Sequence, residues 1–363
     1  MATIKEVARA AGVSPATVSR VLTRRPTVDP GLAARVWRAA SEIGYHPNRI
    51  ARSLRTQQTT VWGVLVSDIR NPFYTDLLRG LEDTAQEAGY ALLIGNADER
   101  LDKEASYLEL FVAERVAGVV LSAASQELTD VTLLSNQGIP VVAVDRALHG
   151  QAVDTVLADN EGGAYQATHH LFGQGYRRIA CITGPADRTT ATDRLAGYVR
   201  AHAEAGVDVE DALVRHSDFR QGGGYTAAYE LLTAARTPDA LFVANNLMTV
   251  GALEAAAQLG LRLPEDLGMV GFDDIPLASL LRTPISVVVQ PAYDMGRTAA
   301  SLLLKRAQGD QGPPRRVVLP VELRVRTTSL RRVPSWSRLG FVNGEPFDSG
   351  GGLRTVPPLV QDE

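Results

Sequence analysis

From Val61 onward, short apolar runs alternate with amphipathic stretches, and the alternation occurs twice. The first set of runs is VWGVLV (61–66), YALLIG (90–95), AGVVL (117–121) and PVVAV (140–144). The second is RIACI (around 179–181), ALFVA (240–244), GMVGF (268–272) and SVVVQ (286–290). Between them lie stretches of about 11–16 residues with helical spacing, as at 73–88 and 101–113. A continuous apolar run suits a strand covered on both faces, and a helix between successive strands makes them parallel. Two such sets predict two α/β lobes with parallel sheets and a cleft between them. Ligands of such sheets sit at the carboxyl ends of the strands.

A chain of 363 residues with 45% hydrophobic content has room for more than one compact unit and a core that needs no staples. One cysteine, Cys181, rules out an intrachain disulfide and a thiolate metal cluster, and it fits a reducing, cytoplasmic setting. The opening MATIKEVARAAG has no apolar signal core, and no run approaches a membrane span. The formal charge of −4 hides an asymmetry: residues 1–60 hold ten Lys and Arg against three acids, or +7, which leaves −11 on the rest. A basic head on an acidic body points to a polyanion partner for the head alone.

That head reads as three short helices. Thr3-Ile4-Lys5-Glu6 is a capping box opening a segment with Ile4, Val7, Ala8 and Ala11 on one face, closed at Gly12. Ser14-Pro15 and Asp29-Pro30 each place a cap before a proline, the start signal of a second and a third helix. Val18, Val21 and Leu22 form the buried face of the second; Leu32, Val36, Ala40 and Ile43 form that of the third, which ends at Gly44. Two helices joined by a four-residue turn and braced by a third make a helix-turn-helix. The second helix turns Ser14, Ala16, Thr17, Ser19 and Arg20 outward, small polar residues that suit a major groove, and Arg20 has the fork that pairs with a guanine edge.

The strings TIKEVARAAGVSPATVSRVL and GYHPNRIARSLRTQQT resemble the DNA-binding head of the LacI/GalR family of bacterial transcription regulators. The resemblance implies that Thr3, Ser14, Pro15, Ala16, Thr17, Ser19 and Arg20 face DNA. It also implies a hinge helix and linker over 48–60, the helix matching Asn48 to Arg55, in which Asn48, Arg52 and Arg55 flank Leu54, the residue that wedges into the minor groove. An apolar wedge unstacks a base step and kinks the duplex. Pro15 and Ala16, at the recognition positions before Thr17, offer no side-chain hydrogen bond, so Arg20, Ser14, methyl contacts and the kink carry specificity.

The body continues the resemblance to about residue 330, through Asp159-Asn160-Glu161-Gly162-Gly163-Ala164, Arg194-Leu195-Ala196-Gly197-Tyr198, LPEDLGMVGFDD (263–274) and Gln290-Pro291. The implied architecture is a head over 1–47, a hinge over 48–60, a two-lobed effector and dimerisation domain like a periplasmic binding protein over 61–330, and a tail over 331–363. Strand ends supply the cleft candidates Asn71, Phe73, Tyr74, Asp145, Arg146, Arg188, Thr190, Arg194, Phe219, Asn245, Asp273 and Gln290. Carboxylates, amides and arginine forks pair with sugar hydroxyls, and aromatic faces cover the sugar C–H surface. Asn71, Asp145-Arg146, Arg194, Asn245 and Asp273 resemble the set of the pentose- and hexose-responsive relatives. Phe73-Tyr74, Arg188, Thr190, Phe219 and Asp273 resemble that of the purine-responsive ones, and Arg146 favours the sugar. Asn246 stands where relatives commonly carry aspartate.

No nucleophile elbow, phosphate loop or H-E-x-x-H is present, so no catalytic residue, cofactor or metal is expected. His169-His170 points to two helix faces, Gly222-Gly223-Gly224 reads as a turn before a helix, and Cys181 as a core residue. The tail, rich in proline and glycine, reads as disordered. Leu330, Leu339, Leu353 and Leu359 fall on no heptad, which predicts a homodimer. The expected function is repression of a carbohydrate operon on a pseudo-palindromic double-stranded operator, with release by a sugar and no membrane contact. The alternatives are a purine- or nucleoside-responsive corepressor type and a cytosolic sugar-binding protein. A regulator read by a phosphoprotein partner also fits.

Overall fold

The computed structural model describes residues 2–22, 28–45, 59–276 and 278–331, with backbone alone at 341–342 and 345–346. The head is built from α1 (Ile4–Ala11), α2 (Pro15–Leu22) and α3 (Pro30–Glu42). Each helix starts where its cap predicts. The Thr3 N–H donates to Glu6 Oε2 at 2.7 Å while the Glu6 N–H reaches back to Thr3 Oγ1 at 3.4 Å. Ser14 Oγ accepts from the Thr17 N–H, and Asp29 Oδ1 from the Leu32 N–H. Gly12 ends α1 at φ 64°, the left-handed region open to glycine. Val7, Ala8, Ala11, Val18, Val21, Val36, Ala39 and Ala40 form a small core. Leu32, expected in it, is only half-buried, and Ala39 takes that face instead.

The first lobe has strands β1 (Val61–Val66), β2 (Ala91–Asn96), β3 (Val119–Leu121), β4 (Val141–Val144) and β5 (Asp154–Ala158), linked by α4 (Pro72–Glu87), α5 (Leu101–Ala113) and α6 (Thr132–Asn136). The second has α7 (Asn160–Gly173), β6 (Ile179–Thr183), α8 (Thr189–Glu204), β7 (Val214–His216), α9 (Gln221–Leu232), β8 (Ala240–Val243), α10 (Asn246–Gln258), β9 (Gly268–Phe272) and β10 (Ser286–Val289). The chain then returns to the first lobe for α11 (Ala292–Ala307) and β11 (Arg316–Leu319), and crosses once more for β12 (Glu322–Arg324).

The strand orders are β11-β5-β4-β3-β1-β2 and β12-β10-β9-β8-β6-β7. They are the same order twice. Within these two sheets all pairings are parallel except β12 on β10. The lobes are therefore not the two halves of the sequence, because the chain crosses between them three times. Four strands are not legible as apolar runs. β5 opens on Asp-Thr, β7 and β12 are polar edge strands, and β11 follows a Pro-Pro-Arg-Arg run.

Three helix pairs close the lobes through glycine. A Cβ on Gly80 of α4 would lie 2.0 Å from the Tyr293 carbonyl of α11, and one on Gly296 would lie 2.0 Å from the Leu77 carbonyl. Gly197 of α8 meets the Glu161 carbonyl of α7 in the same way, and Gly224 of α9 meets the Met248 backbone of α10. Gly222-Gly223-Gly224 is thus the first turn of α9, not a turn ahead of it: the close approach of α10 needs backbone without side chain.

The tail differs from its reading at two places. Arg331 donates to the Gly175 carbonyl and lies 5.0 Å over the Tyr176 ring. Phe341–Val342 pairs antiparallel with Glu345–Pro346. The rest of the tail, and Leu339, Leu353 and Leu359, lie outside the described residues. No helix among the described residues is long and apolar enough to cross a membrane.

Candidate interlobe ligand site and nucleic-acid interface

The carboxyl ends of the two sheets face each other across a narrow shared cavity. Of the twelve candidates, eleven line it: Asn71, Phe73, Tyr74, Asp145, Arg146, Thr190, Arg194, Phe219, Asn245, Asp273 and Gln290. Arg188 does not. It stands behind Glu99, with Nε 3.4 Å from Glu99 Oε2.

Two aspartates occupy matching places. Asp145 follows β4 at φ 68° and Asp273 follows β9 at φ 69°; Phe219, after β7, has φ 60°. Left-handed backbone at a non-glycine residue costs about 1–3 kcal/mol and persists only where neighbours fix it. Here the Asp145 N–H donates to the Val156 carbonyl at 2.9 Å and the Asp273 N–H to the Val288 carbonyl at 2.7 Å. The left-handed turn aims each carboxylate into the cleft.

Asp145 Oδ2 accepts from the Tyr74 hydroxyl at 2.9 Å and lies 3.3 Å from Ser122 Oγ. Burial, and then the Asp145 charge, push the Tyr74 hydroxyl pKa far up, so Tyr74 stays a donor. Asp273 Oδ1 accepts from Gln290 Nε2 at 2.7 Å. Burial raises the Asp273 carboxyl above its ordinary value even though Arg194 opposes the shift. Arg194 is itself lowered by burial. Its Nε donates to Asn160 Oδ1 and its Nη1 to the Ala244 carbonyl, and the guanidinium sits 3.7 Å over the Phe272 ring.

Arg146 is held by a fork. Nη1 and Nη2 donate to the two oxygens of Glu99 at 2.8 and 2.6 Å, and Nη1 also reaches the Ala123 carbonyl. Burial works against the Glu99 charge, but Arg146 outweighs it and keeps the carboxyl below its usual range. Two buried polar atoms in the cleft have no hydrogen-bond partner: Gln290 Oε1, an acceptor, and Arg146 Nε, a donor that lies 3.7 Å from Asp145 Oδ2. A buried polar atom left without a partner is costly, and a ligand hydroxyl satisfies either kind.

The two asparagines are structural as well as lining. Asn71 Oδ1 caps α4 through the Phe73 N–H, and Asn245 Oδ1 caps α10 through the Met248 N–H. Asn245 Nδ2 also donates to the Phe219 carbonyl, fixing that strained residue. Asn246 Nδ2 crosses the cleft to Asn71 Oδ1 at 2.9 Å. An aspartate there has no hydrogen to donate.

Five lining residues lie outside the twelve candidates: Asp68, Glu99, Asp218, Arg220 and Leu247. The strand-end rule reaches most of them. Asp68 follows β1, Glu99 lies three residues past β2, and Asp218 and Arg220 flank Phe219. The loop after β2 gives no signal of its own, because its Asp-Glu-Arg reads as ordinary surface charge.

On the head, Thr3, Ser14, Pro15, Ala16 and Arg20 are exposed, and Thr17 and Ser19 half-buried. Ser14 Oγ, 2.9 Å from Thr17 Oγ1, is engaged as the cap of α2. Asn48, Arg52, Leu54 and Arg55 lie outside the described residues. His170 Nε2 contacts Ser329 Oγ at 2.8 Å while His169 stacks on Tyr165, so the pair faces two ways. Among the described residues no cluster of His, Cys, Asp and Glu is placed to hold a metal. Cys181 is fully buried, and burial pushes its thiol far up, away from thiolate chemistry.

Residues 3–48 match the family described as bacterial regulatory proteins, lacI family, and residues 168–329 match the periplasmic binding protein-like domain. The chain is 35% identical to the HTH-type transcriptional repressor PurR of Aliivibrio fischeri (strain MJ11) over 92% of this chain and 100% of that protein. It is 38% identical to the ribose operon repressor of Bacillus subtilis (strain 168), over 84% of this chain and 91% of that one. Among solved structures it resembles the Lac repressor dimer bound to operator and the anti-inducer ONPF, with a TM-score of 0.79, 26% identity, and coverage of 91% of this chain and 99% of the other.

Proposed function

This chain belongs to the LacI family of bacterial regulatory proteins and is a ligand-responsive, DNA-binding transcriptional repressor, and we propose that its ligand is a small sugar whose binding releases the operator. The observation that carries the sugar is the charge pattern of the cleft. Asp145 with Arg146 on one lobe and Asp273 with Arg194 on the other surround one cavity, and Arg146 Nε and Gln290 Oε1 have no hydrogen-bond partner within it. Alternating acceptors and donors match vicinal hydroxyls, each of which both gives and takes a hydrogen bond. Phe73 and Phe219 supply apolar cover for the sugar C–H face.

The chain works as a homodimer in the cytoplasm without catalytic chemistry. Two heads meet two half-sites, with Arg20 on a base edge and Leu54 at the kink. Ligand and DNA are coupled because each binds two lobe arrangements unequally, typically by about 1–3 kcal/mol. The same two phenylalanines also suit a purine ring, and the PurR relative gives that second reading its weight.

Thermal unfolding of the full-length protein against pentoses, hexoses, nucleosides and purines separates the two. A true ligand at 100 times its Kd adds about 2.7 kcal/mol, a shift of several degrees. A sugar that raises Tm and weakens binding to a DNA selected from a random duplex pool supports the proposal. A shift confined to purines replaces it with the corepressor reading. No shift with any of them removes the ligand assignment and leaves the family intact.

A further inference from the structure

The loop after β2 is the unusual part of the cleft. Asp98 and Glu99 are consecutive non-glycine residues in left-handed backbone, at φ 53° and 60°. Their neighbours hold them there: the Glu99 N–H donates to the Ser67 carbonyl at 2.8 Å, and Arg70 Nη2 reaches Asp98 Oδ1 at 3.2 Å. Such strain persists where the surroundings over-determine it, and it marks segments with a task. Both residues also touch the opposite lobe. Arg220 Nη2 donates to the Asp98 carbonyl at 3.1 Å, and Arg188 Nε lies 3.4 Å from Glu99 Oε2.

Glu99 holds the centre of this arrangement. Its two oxygens take both terminal nitrogens of Arg146, which is nearly fully buried. Nε is then the one guanidinium nitrogen of Arg146 without a hydrogen bond, with Asp145 Oδ2 at 3.7 Å the nearest charge. A fork-on-fork contact fixes the plane of a guanidinium as well as its place. With Glu99 removed, Arg146 keeps the Ala123 carbonyl on Nη1, but no fork fixes its plane and Nη2 is released toward a ligand.

Resting on the reading of the cleft as the effector site, we propose that Glu99 is its closure latch and a positioning residue for ligand specificity. It turns Arg146 so that a single N–H is offered to the ligand, and it joins the lobes through Arg188 only when the cleft is shut. Arg188, which lines no part of the cavity, gains its role as the receiving end of the latch. The lowered Glu99 carboxyl keeps the latch charged throughout the physiological range.

The test uses the full-length protein, Glu99→Gln, Arg188→Gln and the double variant. The probes are D-ribose, D-arabinose, D-glucose and hypoxanthine, measured by calorimetric titration. We expect Glu99→Gln to weaken the best probe tenfold or more and to flatten the preference between the two pentoses. The unliganded Tm should fall by several degrees, since the buried Arg146 loses its charged partner, so binding is measured well below the variant's midpoint with its circular dichroism matching wild type. The double variant should lose no more than the worse single one, because both break one contact. Binding and preference within twofold of wild type, or losses that multiply in the double variant, overturn the proposal. Small-angle scattering of the ligand-free proteins decides the latch separately. Glu99→Gln should be the more open, and matching curves refute closure by Glu99. If no probe stabilises even the wild type, the reading of the cleft fails while the scattering comparison still judges the latch.

Discussion

Asp154 shows what a single buried charge does in this protein. Its side chain is inaccessible to solvent, and it accepts from Arg306 Nε and Nη2 at 2.7 and 2.9 Å and from the Arg315 N–H at 2.7 Å. It therefore ties β5 to α11 and to the segment entering β11. Burial opposes its charge, but Arg306 prevails and holds the carboxyl below its ordinary value of 3.8. A depressed carboxyl stabilises the fold above its unfolded value and loses that contribution as pH falls through the folded one. Asp154→Asn should cost about 3 kcal/mol at pH 7, since it strands a partly buried guanidinium. The gap between wild type and variant in urea unfolding should close as pH drops below 3.8. A gap independent of pH would mean that shape, not charge, carries the contact. At the cleft, Asn246→Asp puts an acceptor against Asn71 Oδ1 where an N–H now sits at 2.9 Å. We expect about tenfold weaker binding of whichever probe stabilises the wild type, read by calorimetry, in line with about 1–3 kcal/mol for an unsatisfied buried acceptor. Unchanged affinity would remove this bridge from the closure.

Among the elements, the helix pairs set the tolerance of the body. α4 and α11 come together at Gly80 and Gly296, where a side chain would enter the facing backbone. Backbone cannot step aside as a side-chain tip can. Gly80→Val should cost about 3 kcal/mol, read from the urea midpoint followed by circular dichroism. Gly222→Ala is the control: a Cβ there meets nothing within 4 Å, so stability should hold within about 0.5 kcal/mol or rise slightly. Equal losses would refute the close-contact argument. These glycines read as breakers in the sequence, which is why Gly222-Gly223-Gly224 suggests a turn there. Only the partner helix, distant in sequence, shows why they are needed. The capped helices of the head are legible because caps act within four residues, as at Thr3-Glu6 and Asp29-Leu32.

For the whole molecule, the head and body carry separable physics. Residues 1–60 hold +7 while the remainder holds −11, so DNA affinity belongs to the head and should fall steeply with salt. Arg20→Ala should cost about 1–3 kcal/mol on the selected DNA and little on random duplex, with the salt slope nearly unchanged, in anisotropy titrations. Equal losses on both duplexes, with a slope shallower by about 0.9, would make Arg20 a phosphate contact instead. The lobes are joined by three crossings, at Ala158–Asn160, Val289–Ala292 and Leu319–Glu322, where the proposed closure would have to bend the chain. Several light segments bending together let two rigid sheets move as bodies, which is what a two-state coupling between ligand and DNA requires.

The sequence by itself determined the local and periodic features. Capped helices, buried parallel strands and the polar strand ends follow from contacts within a few residues or from a period that any folded version must respect. Asp145, Arg146 and Asp273 are legible from the chain alone because they follow strand ends, where such sheets bind their ligands, whereas Arg194 reaches the cavity from the second turn of α8. The tertiary structure alone decided which of these ends meet. It sent the chain back for α11 and β11, set Arg188 behind Glu99 rather than in the cavity, and made Glu99 a partner of Arg146, 47 residues away. Pairings of that kind depend on how two lobes close on each other, and no local pattern encodes that geometry.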